Sequence, residues 1–375
     1  MGYFPQGLPS WNGLRHILIQ YENARSWVTG PLAQDKIRFL KANFAHLDDQ
    51  GEPDRWLFDT LLVLMSPSTG NMIFADVNRG TTMSGEGDFY AIPAPNPATK
   101  RDWDEILDAL FGRHGYLSAC DEALRNLAGR LGVPSRRNIL LAIPYPHITQ
   151  AMFGRLDPGG PNLNFSVVGQ PLYRATAQRL EAARWFVRET HRRWTQAGFQ
   201  HLHLLGFYWV FETVYRGWDV DDHYVLKELR KEIHGLGYRL TWIPFWSSYN
   251  VHLLDNYQDY YFDLALLQPN YMFYQNLQGV DDAARAARER HAGLEIEYFV
   301  DLDEPIQVGG ERHKRLKEYL DAGVRLGYMT ESVCAYFIGP IGMWDLYNAP
   351  GVEREVYEAL SRFVQGSYTP GSFMP

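Results

Sequence analysis

"HLHLLGFYWVFE", residues 201–212, decides how this chain is read. The run is almost continuously apolar, and it ends in a glutamate. A half-exposed antiparallel strand would alternate polar with apolar residues. A near-continuous run of this length is the pattern of a parallel strand covered on both faces. Seven further runs share it: "HILIQYE" (16–22), "WLFDTLLVLM" (56–65), "NILLAIPYP" (138–146), "RLTWIPFW" (239–246), "DLALLQPNYMF" (263–273), "GLEIEYFVD" (293–301) and "VCAYFIGP" (333–340). Helical patterns lie between them, such as "RDWDEILDALFGRHG" before the third and "DDHYVLKELRKEIHGLG" before the fifth, where Asp221 or Asp222 suits an N-cap. Only "VHLLDNYQDYY", between the fifth and sixth runs, is short for a helix.

Strand–helix alternation repeated eight times predicts an α/β fold, a single (β/α)8 TIM barrel spanning residues 1–375. A doubly wound sheet is the alternative, but no GxGxxG follows the first strand. Segments 66–100 and 147–172, rich in Gly, Pro and Asn, follow strands two and three. They are expected as long loops on the C-terminal face, where barrel active sites are built.

Composition narrows the function. The net charge of −8 argues against a nucleic-acid partner, which would select a basic face. No stretch reaches the roughly 18 apolar residues of a membrane span. The N-terminus "MGYFPQGLPSWNGLRH" lacks a signal peptide's basic start and apolar core. The chain as given therefore reads as soluble and cytoplasmic, or as secreted if a leader has been trimmed. Two cysteines, Cys120 and Cys334, are too few for a disulfide framework and lack CxxC spacing, so both are expected as buried apolar groups. His201 and His203 fall at the start of strand four and read as structural rather than metal-binding. No G-x-S-x-G elbow is present, and no cofactor or metal is expected. Aromatic residues make up 14% of the chain, with 11 Trp and 23 Tyr, which suits either a ring-rich core or a cleft whose rings stack on sugars.

The carboxylates sharpen that choice. Glu212 ends strand four, and a residue at the C-terminal end of a barrel strand points into the site. In strand seven Leu294 and Ile296 share one face and Glu295 and Glu297 the other. The aliphatic face suits the helices, so both glutamates are expected inside, where charge is rare without a task or partner. Glu297 lies roughly 6–7 Å nearer the active face than Glu295, at about 3.3 Å per residue. Paired carboxylates across a cleft are what glycoside hydrolysis needs. The expected pair is Glu212 as acid/base and Glu297 as nucleophile, by analogy with the strand positions of retaining barrel glycosidases. Glu212 is expected to have a raised pKa, walled by Phe207, Tyr208, Trp209 and Phe211. Strict alternation from Leu202 and Leu204 would place Glu212 on their face, so this reading requires a bulge or the strand's end to intervene.

Other strand ends supply rings and amides suited to hydroxyl-rich ligands: Gln20, Tyr21 and Glu22; Tyr145 and His147; Tyr208; Trp242, Trp246, Ser247 and Tyr249; Gln268, Asn270 and Tyr271; and Tyr336. Asp59, in mid-strand, is expected to hold a buried hydrogen-bonding role. Asp301, Asp303 and Glu304 are the alternative carboxylates.

"WLFDTLL" followed by an Asp-Trp-led helix, then "GFYWVFE", "WIPFW", "LLQPNY" and "GLEIEY", resembles a bacterial family of unknown function whose members are predicted glycosidase-like barrels, often in secreted multidomain proteins. The resemblance runs from about residue 16 to 340. It implies a (β/α)8 barrel, an oligosaccharide or polysaccharide substrate, and functional carboxylates at Glu212 and Glu297. Where the resemblance leads one to expect an acidic residue soon after the strand-seven glutamate, this chain reads "YFVDLDE". A carbohydrate-binding barrel without catalysis and a polysaccharide lyase are the competing readings. An ultraviolet-absorbing unsaturated product would separate lyase from hydrolase.

Overall fold

The computed structural model describes residues 2–28, 34–74, 76–78, 90–92, 96–132, 136–246, 251–273, 279–299, 311–339 and 342–374. Eight parallel strands close into a barrel: β1 (His16–Asn23), β2 (Thr60–Ser66), β3 (Arg137–Ile143), β4 (Leu202–Trp209), β5 (Arg239–Trp242), β6 (Leu264–Leu267), β7 (Gly293–Phe299) and β8 (Cys334–Gly339). Each strand pairs with its neighbours in chain order, and β8 closes onto β1 through His16↔Cys334, Ile17↔Ala335 and Leu18↔Tyr336. The expected TIM-barrel fold is thus present. Around it lie α1 (Gln34–Phe44), α2 (Lys100–Phe111), α3 (Tyr116–Leu131), α4 (Leu172–Ala197), α5 (Asp222–Gly235), α6 (Val280–Glu289), α7 (Glu311–Leu326) and α8 (Val352–Val364). Among the described residues between β5 and β6 there is only a 3-10 turn, Val251–Asn256, and one helical turn, Tyr257–Tyr260.

Local chemistry sets several boundaries. Thr99 and Asp102 form a capping box at the start of α2. Asp221 caps α5, its carboxylate accepting from the Tyr224 N–H at 3.0 Å. Asp59 accepts from the backbone N–H groups of Arg15 and His16 and from the Thr60 hydroxyl, tying β1 to β2 at the barrel's N-terminal end. Cys120 and Cys334 are free and buried.

The bulge that Glu212 requires is present in β4. Ile139 pairs with Leu204, but the next residue, Leu140, pairs with Gly206, so Leu205 is skipped. The extra residue inverts the alternation. Leu202 and Leu204 face one way, and beyond the bulge Tyr208, of the same parity, faces the other. Gly206 makes this possible. A Cβ there would lie 2.0 Å from the carbonyl oxygen of Arg239 at the start of β5, so any side chain collides with backbone. Gly206→Ala is expected to lose about 1–3 kcal/mol of stability in chemical denaturation. A loss below about 0.5 kcal/mol would show that β5 can move aside and that the bulge is not locked.

Candidate active site

At the C-terminal end of the barrel a cavity of about 160 Å³ is lined by Ile19, Tyr21, Leu64, Tyr208, Glu212, Ile243, Gln268, Phe273, Glu295 and Phe337. Barrel strands and the turns after them contribute. Two carboxyl groups, two phenols and an amide therefore share one small space with apolar walls. Five of the residues expected at the site from sequence are brought together here: Tyr21, Tyr208, Glu212, Gln268 and Glu295.

Glu212 follows β4 and is partly exposed. Burial raises its carboxyl from 4.5 to about 7. Glu295 is 3% exposed, and its Oε2 is buried without a hydrogen-bond partner among the described residues. Burial pushes its carboxyl well above the usual glutamate range, and the charges of Glu297 and Glu212 push it the same way. A neutral carboxylic acid is the form this setting favours. Tyr21 stands in the mouth with 61% of its surface exposed. Burial of its hydroxyl end, then the charges of Glu295 and Glu212, raise it above 10. Tyr208 is buried and is raised by burial first and by Glu212 next.

Glu297 occupies a different position from Glu295. It is fully buried, does not line the cavity, and has protein donors on both oxygens. Oε1 accepts from the Asn270 N–H at 3.0 Å. Oε2 accepts from the Tyr319 hydroxyl of α7 and, more distantly at 3.5 Å, from the Met272 N–H. The cause is the short β6, which pairs with β7 only at Leu266↔Gly293 and Leu267↔Leu294. By the level of Glu297 its neighbour has left the sheet. The turn that replaces it, with Asn270 in the left-handed region at φ 55°, aims backbone N–H groups at the carboxylate. Burial raises Glu297 to about 7, while the Tyr319 bond and the two backbone bonds pull it down.

Several expected rings lie elsewhere. Trp242 is fully buried on the side of β5 away from the cavity, stacked on Phe262 at 4.8 Å, with its Nε1 donating to the Phe211 carbonyl at 3.1 Å. Tyr145 packs against Trp209 and Phe211 and donates its hydroxyl to Asp222. Tyr336 sits toward the N-terminal end of the barrel, its hydroxyl bonded to His16 Nδ1 at 2.9 Å and its ring against Phe58. Tyr271 lies against α7, its ring under Arg315 and its hydroxyl on Glu318. Trp246 lines a separate surface groove with His252, Asp255 and residues of α6. Glu22 points away from the cavity and accepts from the Trp27 Nε1 at 2.8 Å. Asn270 contributes its N–H to Glu297 and its side-chain oxygen to Gln268. Ser247, Tyr249, Asp301, Asp303 and Glu304 fall outside the described residues. For Glu22, Trp242 and Tyr336, which lie in strands, the cause is alternation, since neighbouring residues face opposite ways. Tyr145, Trp246 and Tyr271 lie beyond the strand ends, where parity no longer sets the facing.

Sequence reasoning did not find the group that fastens the chain after Glu212. Arg179 of α4 and Asp222 are both buried and form an ion pair at 2.6 Å. Arg179 also donates to the Pro146 carbonyl at 2.7 Å. Asp222 accepts from the Tyr145 hydroxyl and the Tyr215 N–H, and its own N–H donates to the Tyr215 carbonyl. The chain three residues beyond Glu212 is thereby tied to α4 and to the end of β3. Asp222 next to an N-cap aspartate was a visible signal; its Arg partner, 43 positions away, was not.

The family described as "Domain of unknown function (DUF4855)" matches residues 33–362. The chain belongs to this family. The resemblance seen in the sequence and this match agree, and the DUF4855 region takes in the barrel from β2 to β8, with Glu212, Glu295 and Glu297 inside it. No curated protein matches the chain at a significant level. Among solved structures, the chain is similar to a mutant tryptophan synthase alpha-subunit from Pyrococcus furiosus, at 13% identity and a TM-score of 0.38, covering 97% of this chain and 98% of that one. It is also similar to a GH18 chitinase from Pseudoalteromonas aurantia, at 11% identity and a TM-score of 0.39, covering 86% and 93%. The barrel assignment rests on this chain's own strand order rather than on overlays this loose. Among the described residues no helix is long and apolar enough to cross a membrane, and no three His, Cys, Asp or Glu side chains cluster to hold a metal ion.

The raised carboxyls make stability depend on pH in a defined direction. Folded Glu212 keeps its proton to about 7, whereas an ordinary glutamate releases it near 4.5. Its stabilising contribution is fully present below 4.5 and is lost as the pH rises to about 7. Relative to Glu212→Gln, the wild-type protein is expected to lose about 2–3 kcal/mol across that window in denaturant titrations. Parallel curves would mean that Glu212 titrates normally.

Proposed function

We propose that this chain is a glycoside hydrolase acting on a glycan, with Glu212 and Glu295 as its reacting carboxyl pair. The observation that carries the reading is their shared cavity at the C-terminal end of the barrel, where one carboxyl holds its proton firmly and the other titrates near neutrality. Glycosidic cleavage needs one acid and one base or nucleophile at the same pH. The expectation from strand positions was Glu212 as acid/base and Glu297 as nucleophile. The proposal departs from it for two reasons. Glu297 has both oxygens engaged and does not face the cavity. Burial and the Glu297 charge hold the proton on Glu295.

In the first step the Glu295 proton passes to the departing glycosidic oxygen as a Glu212 oxygen attacks the anomeric carbon. A glycosyl ester on Glu212 results. In the second step the Glu295 carboxylate takes a proton from water, the water oxygen bonds to the anomeric carbon, and Glu212 leaves as carboxylate. Double displacement with retention is the outcome this reading takes over from the strand-four and strand-seven carboxyls of retaining barrel glycosidases. Glu297 acts as a positioning residue whose charge keeps Glu295 protonated.

The test is a screen of aryl glycosides and polysaccharides, followed by NMR of the first-formed anomer. Retention is expected. Inversion would refute the double displacement, and an unsaturated product would replace hydrolase by lyase. Azide rescue assigns the roles. Glu212→Ala should give a glycosyl azide of inverted configuration and Glu295→Ala one of retained configuration. The opposite pattern would restore Glu212 as the acid.

A further inference from the structure

We infer that a second cavity, opening beside the carboxyl pair, is a subsite for an aromatic aglycone, so that the substrate class is glycosides carrying a flat apolar group. The inference rests on the hydrolase reading for what is cleaved, and on separate observations for what is bound. This cavity measures about 470 Å³ and is lined by Ile19, Gln20, Tyr21, Phe39, Phe299, Phe337, Ile338, Gly339, Gly342 and Asp345. Ile19, Tyr21 and Phe337 are also walls of the carboxyl cavity. A ligand whose scissile bond sits between Glu212 and Glu295 therefore has this space directly alongside.

The lining chemistry selects the occupant. Three phenylalanines and two isoleucines form half of the wall, and two glycines keep it open. Among its polar side chains, Gln20 is engaged on both atoms and Asp345 on one. The Gln20 carbonyl accepts from Asn43 at 2.7 Å and its amino group donates to the Ile19 carbonyl at 3.1 Å. Asp345 caps its helix, Oδ2 accepting from the Gly342 N–H at 2.9 Å, and stands exposed at the rim. A sugar ring would lose hydrogen bonds to water here and regain few, whereas an aromatic ring would lose none. The opening depends on residues without side chains. A Cβ on Gly339 would lie 2.4 Å from the Phe337 ring, and one on Gly342 would lie 3.3 Å from Phe39 Cε2. The Gly342 backbone, at φ −112°, does not itself demand glycine, so the small residue there preserves space.

Rates cannot test this, because a phenol leaves readily from any glycosidase. Binding of the free aglycone can. The probe is p-cresol, titrated calorimetrically into the full chain as wild type, Glu212→Gln, Gly342→Leu and Phe39→Ala. Saturable binding by the first two is expected. Gly342→Leu fills the cavity, and half-buried Phe39 is one of its walls, so each of those variants should weaken binding by about tenfold or more. Absence of saturable binding to the wild type, or affinity within twofold of wild type in both variants, overturns the inference. Because p-cresol needs no turnover, binding without hydrolysis of any glycoside would defeat only the hydrolase reading. Hydrolysis without p-cresol binding would defeat only the aglycone subsite.

Discussion

Glu212→Gln is expected to lower kcat by about 10⁴–10⁶-fold on any confirmed substrate, the scale seen when a covalent nucleophile is removed. The substitution is isosteric and removes a group whose burial is unfavourable to its charge, so the fold should persist. Glu295→Gln should behave differently. An acid contributes about 10²–10⁴-fold, and only where the leaving oxygen needs a proton. The loss should therefore be large for alkyl glycosides and much smaller for p-nitrophenyl glycosides, whose leaving group departs as an anion. A loss that is the same for both would remove Glu295 from the acid's role. Glu297→Gln supplies the contrast. Removing its charge lowers the proton affinity of Glu295, so the alkaline limb of the pH–rate profile should move to lower pH. If Glu297→Gln abolishes turnover at every pH and on every leaving group, Glu297 is the reacting carboxylate.

The barrel was legible because each parallel strand must be apolar on both faces, and eight such runs separated by helical periodicity leave few other folds. Glu212 was legible only conditionally. Its direction depended on a bulge, and the sequence hint for that bulge was Gly206, a residue that weakens an ordinary strand and here meets the backbone of Arg239. Glu295 and Glu297 looked equivalent by parity. They differ because β6 ends at Leu267, and the hint for that end was Gln268-Pro269, where the apolar run stops and proline offers no N–H to the ladder. The rings at 145, 242 and 336 were chosen for their chemistry at strand ends. Their facing depends on register, which one chain's composition does not fix. Tyr319 and Arg179 belong to helices, and their contacts with Glu297 and Asp222 are tertiary in origin.

Asp222→Asn should be the most destabilising single change at the site, by about 3–5 kcal/mol in guanidinium unfolding, because it leaves the guanidinium of Arg179 buried without its counter-charge. The surroundings offer little relief. Arg179 is 1% exposed, its Nη1 already lacks a partner among the described residues, and its Nε is committed to the Pro146 carbonyl. Asparagine keeps one oxygen for the Tyr215 N–H and the Tyr145 hydroxyl, but its NH2 then faces Arg179, so the deficit combines the missing charge with the lost Arg179 hydrogen bond. Arg179→Met in the same background removes the stranded cation and should recover part of the stability, since a buried pair replaced by neutral groups is often close to neutral. A deficit below about 1 kcal/mol, or no recovery in the double variant, would mean that the pair is not a desolvated couple. The effect should also reach catalysis. Asp222 fixes both the N–H and the carbonyl of Tyr215, three residues beyond Glu212, and loosening that grip lets the Glu212 carboxyl leave the position from which it reacts. At temperatures where the variant remains folded, kcat is expected to fall while KM changes little.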